Sequence, residues 1–416
     1  MRILVVGKGG REHALVRALV ESPGQPEVFC FPGSDAILQL AKPVAADGLE
    51  SLVAWMKLNQ IDLCVAGEES YLVEGEGLAN LCEREGIPCW GPPKEAAQLE
   101  ASKEFAKEFL SRNQIPTARA TATDSLDDAV SAIAGVYPTV LKFDGLAAGK
   151  GVAVCVDEAS ALEFLKEVFV HRRFGKGRVL VEECLTGPEV SIFAAIVDDQ
   201  YLIFTPARDY KRAQDGDHGP NTGGMGAVAS RQLVTAKMLE RIELEIVQPT
   251  VRGLRAESLP YRGFLYFGLM LTPSGPQVIE YNCRFGDPEC QAVMPLVTGD
   301  LAAFCFAGAT GELHKDLLNF SDGWSVCVIL ASAGYPETSR SGDRISGIGE
   351  IHDARVYHSG TKRTADGGWE THGGRVLAIV AGAEGLPQAV AKAHAAADSV
   401  TFDGVLRRRD IGIFNF

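Results

Sequence analysis

From Met1 to about Glu100 the chain alternates short apolar runs with glycine turns and helical stretches, and this rhythm constrains the fold more than any other feature. RILVV leads through Gly7-Lys8-Gly9-Gly10-Arg11-Glu12 into an apolar-periodic stretch ending near Val20, and VFCF, DLCVA and IPCW follow as further short runs. Parallel strands need a crossover between them, and a helix after each glycine turn supplies one, so the pattern predicts a parallel sheet covered by helices. The segment GPPKEAAQLEAS, 91–102, breaks the alternation with a double proline and then turns helical, which places a first domain boundary near residue 100.

With 416 residues and about 150 per domain, roughly three domains are expected. Past residue 100, β-prone runs at 140–143, 152–156, 179–181 and 190–197 flank a helix at about 159–170, which predicts a compact α+β lid over about 120–190. A long loop, 206–226, carries five glycines and several charges, too much chain for an idle connection. A helix at about 236–257, strands at 263–271 and 277–282 and an apolar helical stretch around Ala292 complete a central domain, 101–310. A smaller third unit, 322–416, is expected to hold strands at 324–331 and 375–380 and a helix at 387–399.

The net charge of −14 argues against a nucleic-acid groove, because phosphate backbones are held by clustered Lys and Arg. The densest basic cluster, Arg407, Arg408 and Arg409, is expected to be a solvated surface. No apolar stretch approaches the roughly 20 residues that span a bilayer, and the first residues run straight into a strand without a leader pattern, so a soluble cytoplasmic protein is expected. The ten cysteines form no CxxC pair and are expected to be reduced core residues. No GxSxG elbow, HExxH or obvious Cys–His pairing is present, and the eight histidines are scattered. What remains is chemistry that needs only positioning and charge neutralisation, such as phosphoryl transfer from a nucleotide.

Five segments fit that chemistry. In QVIEYNCR, Glu280, Asn282 and Arg284 occupy alternate positions, so one strand would project a carboxylate, an amide oxygen and a guanidinium from a single face, a set suited to magnesium and polyphosphate. FGDPE follows directly. The first glycine turn could receive an anion on Gly9, Gly10 and Arg11, with Glu12 beside them, although a tight turn explains the glycines equally well; it lacks the third glycine of a dinucleotide fingerprint. The loop 145–151, with Gly145, Gly149, Lys150 and Gly151, is a glycine-rich hairpin tip rather than a Walker A loop, and Lys142 on the strand before it needs a buried partner such as a phosphate. VEECLTGPE offers Glu182, Glu183, Leu185 and Glu189 to an adenine edge and ribose hydroxyls, or forms a simple acidic turn. Finally, HGPNTGGMG, 218–226, combines four glycines with Asn221 and Thr222, after Asp209, Lys211, Arg212, Asp215 and Asp217. Glycine there lets backbone approach a ligand closely.

GKGGREHAL, KFDGLAAGKGV, HGPNTGGMGA, IEYNCRFGDPE, GRVL and RRDIG occur in order along nearly the whole chain. Together they closely resemble the glycinamide ribonucleotide synthetases, or phosphoribosylamine-glycine ligases, of the ATP-grasp superfamily. The resemblance implies a Rossmann-like N-terminal domain, an ATP-grasp core with a mobile lid, and a small α+β C-terminal domain. It also implies a reaction: ATP phosphorylates glycine, and the amine of 5-phosphoribosylamine attacks the glycyl phosphate to give glycinamide ribonucleotide, ADP and phosphate. By the same resemblance Lys103, Lys142, the loop 145–151, Glu182, Glu183, Leu185 and Glu189 hold ATP. Glu280 and Asn282 hold magnesium, or manganese in its place, and Arg284 neutralises the transferring phosphoryl. Asp215, Asn221, Gly223, Gly224 and Asp287 face glycine and the acyl phosphate, while Gly9, Gly10, Arg11 and Glu12 face phosphoribosylamine. The expected partners are small molecules only, on a monomer or weak dimer.

The chain departs from the family pattern at four places. Gly67-Glu68-Glu69-Ser70-Tyr71-Leu72 stands for GPEAPL, Pro32-Gly33-Ser34-Asp35-Ala36 for PGNAG, Arg208-Asp209-Tyr210-Lys211 for QDHK, and Phe143 for alanine. Glu68 and Asp35 would place negative charge near the ribosylamine phosphate. Two rival readings follow: a paralogue joining a carboxylate to a different amine, or a nucleotide-binding sensor without turnover.

Overall fold

The computed structural model describes residues 1–145 and 151–413. Three sheets organise them. The N-terminal sheet is wholly parallel, in the order Lys42–Pro43, Glu27–Pro32, Arg2–Gly7, Leu63–Ala66, Cys89–Trp90. Its central strand RILVVG is apolar because both of its faces are covered by helices, and Ile3 to Val6 are fully buried. Strand order reverses on either side of Arg2–Gly7, so a crevice opens beyond the carboxyl ends of Arg2–Gly7 and Leu63–Ala66. The turns there, 8–12 and 67–69, face the cavity described below.

A second sheet of four antiparallel strands runs Ala120–Thr123, Val179–Glu183, Thr139–Phe143, Val152–Cys155, with helices Leu126–Ile133 and Glu158–Phe169 packed on it. Its core is separate from the others. Phe143, the residue in place of alanine, stacks on Phe174 at 5.4 Å and fills the space left by Gly145 and Gly177.

The central sheet is antiparallel and continuous from the central segment into the C-terminal one. Gly275–Asn282 forms one edge, followed by Arg262–Thr272, Glu189–Val197, Ala207–Asp209, Gly226–Ala229, Trp324–Ala331, Arg375–Ala383 and Arg355–His358, with Gln200–Ile203 as a side branch on Glu189–Val197. The long glycine loop therefore leaves the sheet at Ala207–Asp209 and re-enters at Gly226–Ala229. Between these it makes a hairpin of Arg212–Gln214 with His218–Asn221. The helix expected over 236–257 is continuous but holds a π-turn at Glu243–Val247, just before Pro249, whose missing N–H removes one helical hydrogen bond.

One surface expectation is corrected. Arg408 is buried, with its guanidinium on Asp410 (2.6 Å) and Asp217 (2.6 Å), so the basic cluster clamps the C-terminal end onto the loop before His218. Tyr210, standing where the family has histidine, is buried between Arg208 and Arg408, and its hydroxyl accepts from Gly412 N at 3.0 Å. Asp35 likewise serves docking: it accepts from Arg363 N at 2.7 Å on the C-terminal segment.

Candidate functional site

Glu280, Asn282 and Arg284 do share one face. Tyr281 and Cys283, the residues between them, turn into the core. Glu280 lies opposite Gly268 on the neighbouring strand, where any Cβ would stand 2.9 Å from Glu280 Cγ, so glycine clears the space that the carboxylate occupies. The three side chains line a cavity of about 730 Å³ that runs from the lid strands past them to Gly9, Arg11, Glu12 and Arg375. A smaller pocket of about 110 Å³ adjoins it beneath Lys103, Lys107 and Lys142.

The lid end is rich in cations. Lys142 is buried and its partner is a carboxylate, Glu182 at 2.9 Å, together with Ile279 O at 2.9 Å. Lys107 meets the same carboxylate at 3.2 Å, and burial pushes its ammonium down to about 8. Glu182 is thus the counter-ion of two lysines, and its Oε1 is buried without a hydrogen-bond partner. Lys103 opens helix Lys103–Arg112, and its Nζ donates to Gly145 O at 2.8 Å. Asp144 caps that helix, accepting from Lys103 N (2.6 Å) and Glu104 N (3.2 Å), which ties the start of the glycine loop to a helix N-terminus. Gly151 lines the smaller pocket with Gly145; the expected contributions of Gly149 and Lys150 lie outside the described residues.

Glu280 sits among Lys211 (3.4 Å), Lys142 and Lys103. Burial alone would raise its carboxyl, but these cations and Arg284 outweigh it and hold the group below its usual range. Asn282 hydrogen-bonds sensibly only with its amide nitrogen towards Glu100 Oε1 (3.0 Å) and Tyr281 O (3.1 Å), which leaves the oxygen as the end able to meet a cation. Arg284 spans Glu69 Oε2 (3.0 Å) and Glu100 Oε1 (2.6 Å) and donates to Phe285 O. Glu69 also meets Arg11 Nη2 at 3.4 Å. Despite its burial, Arg284 and then Arg11 hold Glu69 down at about 2, whereas burial pushes Glu100 up to about 7.

Arg11 and Glu12 form a buried pair at 2.6 Å, and Glu12 Oε2 accepts from Gly9 N at 2.7 Å. Gly10 does not face the cavity. A Cβ there would strike Ser359 and Gln291, so this glycine lets the first helix pack closely. Glu68 lines the cavity, and burial, with Glu12 nearby, raises its carboxyl.

On the opposite wall, Arg375 donates to Gly223 O (2.5 Å) and Asp287 O (2.6 Å) and pairs with Asp287 Oδ1 at 3.2 Å. Gln291 adds a hydrogen bond to Asp287 at 2.7 Å. Burial opposes ionisation of Asp287, yet Arg375 and Arg11 keep it low. Glu289, which is buried, and Asp209, which is half-buried, form an acidic pair. Burial first, then the neighbouring carboxylate, pushes Asp209 well up, and its Oδ1 has no hydrogen-bond partner. Gly224 (φ +106°) supports this wall from behind: a Cβ would lie 2.4 Å from Pro288 Cδ and 2.7 Å from Asp209 Oδ1.

Of the residues expected from sequence, Gly9, Arg11, Glu12, Glu182, Glu183, Leu185, Glu189, Asn221, Gly223, Glu280, Asn282, Arg284 and Asp287 line the large cavity, as does Lys142. Asp215 does not. It is exposed and accepts from Arg409 N at 2.7 Å, while Asp217 of the same turn reaches the cavity. Glu69, Glu100, Lys107, Glu289 and Arg375 also line the site, from five separate elements and turns, and no sequence motif assigns them a role there. The only available signal was their place inside or beside motifs already noted, such as Arg375 in GRVL.

Three family models match in chain order: phosphoribosylglycinamide synthetase N domain over residues 1–100, its ATP-grasp (A) domain over 101–290 and its C domain over 325–413. A phosphoribosylamine–glycine ligase of Caldanaerobacter subterraneus subsp. tengcongensis is 42% identical, with 99% of each chain covered. One of Allochromatium vinosum is 40% identical over 99% of this chain and 98% of its own. The crystal structure of phosphoribosylamine–glycine ligase from Thermotoga maritima superposes with a TM-score of 0.86 at 32% identity, covering 99% of this chain and 100% of that one. A biotin carboxylase of Campylobacter jejuni shares the fold at 18% identity, with a TM-score of 0.72 over 97% of this chain and 92% of its own. With all three domain models met in order and relatives matched end to end, the chain belongs to the phosphoribosylglycinamide synthetase family.

Proposed function

We propose that this chain joins glycine to 5-phosphoribosylamine with ATP, through glycyl phosphate, and releases glycinamide ribonucleotide, ADP and phosphate. The observation that carries this reading is the large cavity together with the smaller pocket that adjoins it. The cationic end gathers Lys103, Lys142 and Lys211 around Glu280, Asn282 and Arg284, and the other end gathers Arg11, Glu69, Asp287 and Arg375.

In this reading the nucleotide lies between the lid strands and Gly275–Asn282, with its base against Glu183 and Leu185 and its phosphates towards Lys103 and Lys142. Glu280 and Asn282 fit a hard divalent cation, because one is held ionised and the other presents an amide oxygen. Magnesium, or manganese, would neutralise polyphosphate charge there. A glycine carboxylate oxygen attacks the γ-phosphorus and ADP leaves. Arg284, held in place by Glu69 and Glu100, faces the charge that develops on the transferring phosphoryl. Arg375 and the backbone around Gly223 position the carboxylate end of glycine. The Asp209–Glu289 pair accepts its ammonium, since an incoming cation relieves the repulsion between two neighbouring acidic groups. The ribosylamine nitrogen then attacks the acyl carbon from the Arg11 side, and phosphate departs towards Arg284. Glu68 lies at that acceptor end, so a panel of alternative amines tests the acceptor directly.

No helix among the described residues is long and apolar enough to cross a membrane. The deciding experiment supplies the purified chain with ATP, magnesium, glycine and freshly generated phosphoribosylamine. ADP release that requires both glycine and the amine supports the reading; release no faster than the glycine-free control refutes it.

A further inference from the structure

The N-terminal sheet holds a side-chain cluster that the reaction does not use. Cys64 of strand Leu63–Ala66 and Cys89 of strand Cys89–Trp90 stand directly opposite each other in the parallel register. Cys82, from helix Leu78–Arg84, meets them, and the three sulfurs all lie within 4.8 Å of one another. All three are free thiols; Cys64 and Cys82 are buried, whereas Cys89 sits on the sheet edge and is partly exposed. In-register neighbours on adjacent strands have Cα atoms about 4.8 Å apart, within the roughly 4.4–6.8 Å that a disulfide spans.

The surroundings favour a neutral product. The cluster lies in the apolar layer with Leu78, Leu81 and Ile87, where a metal held by three thiolates would concentrate negative charge out of water. A disulfide buries no charge. Thiol reactivity also differs within the cluster: hydrogen bonds from Cys64 and Cys82 hold the Cys89 thiol well below its usual range, while its hydrogen-bonded neighbours and burial push Cys64 up.

We propose that Cys64, Cys82 and Cys89 form an oxidant-sensitive site, in which a peroxide oxidises Cys89 and a neighbouring thiol closes a disulfide to it. The Cys89 thiolate attacks the peroxide; an S–O bond forms, the O–O bond breaks and hydroxide leaves, giving a sulfenic acid. The thiol of Cys64 or Cys82 then attacks the Cys89 sulfur, the S–S bond forms, and the S–O bond breaks with loss of water. Two thiols are oxidised by two electrons, and the peroxide is reduced to water.

The test treats the whole folded chain with hydrogen peroxide, quenches it, and titrates thiols after denaturation. The expected result is a loss of two from the ten thiols of the chain, restored by dithiothreitol, with peptide mapping that joins Cys89 to Cys64 or Cys82. Cys89→Ser, a near-isosteric change at the sheet edge, abolishes the paired loss; Cys184→Ser, at a separate half-buried thiol, leaves it intact. Retention of all thiols, losses that map elsewhere without a Cys89 link, or an unchanged loss of two in Cys89→Ser overturns the proposal. The peptide map of the unaltered chain decides the matter even if Cys89→Ser folds poorly.

Discussion

Arg284→Ala tests the centre of the site because Arg284 bridges two acidic side chains, the half-buried Glu69 and the buried Glu100. The fall of Glu69 from 4.5 to about 2 corresponds to about 3 kcal/mol of preference for its ionised form in the folded state, and Arg284 is the larger of its two cationic causes. A depressed carboxyl adds stability above its unfolded value of 4.5 and loses it as pH falls towards 2, so that contribution is present throughout the neutral range. Glu100 behaves oppositely: raised to about 7, it keeps its proton below that pH and becomes a buried anion above it. At about pH 5.5 the variant therefore loses the larger share of the Glu69 contribution, about 2 kcal/mol, since Arg11 still holds the rest. At about pH 8.5 Glu100 is stranded as well, and the loss approaches about 5 kcal/mol, as for a buried ion pair broken on one side. Urea denaturation of the ligand-free chain at the two pH values measures this. Arg284→Lys should restore much of the stability but little turnover, because an ammonium cannot span Glu69, Glu100 and Phe285 O together. A loss below about 1 kcal/mol at both pH values, or one that shrinks as pH rises, would refute the reasoning.

Glu280→Ala should lower turnover about 100-fold and shift the magnesium titration to higher concentration, with ATP affinity changed less; an unchanged titration would remove Glu280 from the cation site. Asp209→Asn should raise the KM for glycine about tenfold with a smaller effect on the KM for ATP, as initial-rate kinetics can show. Acid should destabilise the ligand-free chain between about pH 6 and 5, where the unfolded state protonates His13 and His358 while burial holds them down at about 3 and 4 in the fold. Glu100 opposes this by binding one proton in the folded state over the same window, so the net slope is about one proton, or about 1.4 kcal/mol per pH unit. His358→Gln should flatten the slope, measured from urea midpoints against pH.

Much of this architecture was legible because its signals are local. The parallel sheet followed from RILVV and its glycine turn, and the alternation of Glu280, Asn282 and Arg284 survived because a strand projects every second side chain one way. Partnerships across the fold were not legible. Lys142 plainly needed a counter-charge, but only the register between Thr139–Phe143 and Val179–Glu183 makes that partner Glu182. Three adjacent arginines are normally solvated, yet Asp217 and Asp410 give Arg408 a buried seat. Asp215 and Asp217 are indistinguishable in sequence. The turn through Gly216 (φ +70°) sends one to the Arg409 backbone and the other to the cavity. Cys64 lies too far from Cys82 and Cys89 along the chain for spacing to reveal the cluster.

The central claim is that the cavity transfers the γ-phosphoryl of ATP to a glycine carboxylate before the amine attacks. Glycine labelled with oxygen-18 in both carboxylate oxygens tests it in a single turnover with ATP, magnesium and phosphoribosylamine. The account predicts one labelled oxygen in the released phosphate and one retained in the amide product. Unlabelled phosphate alongside product formation would contradict it.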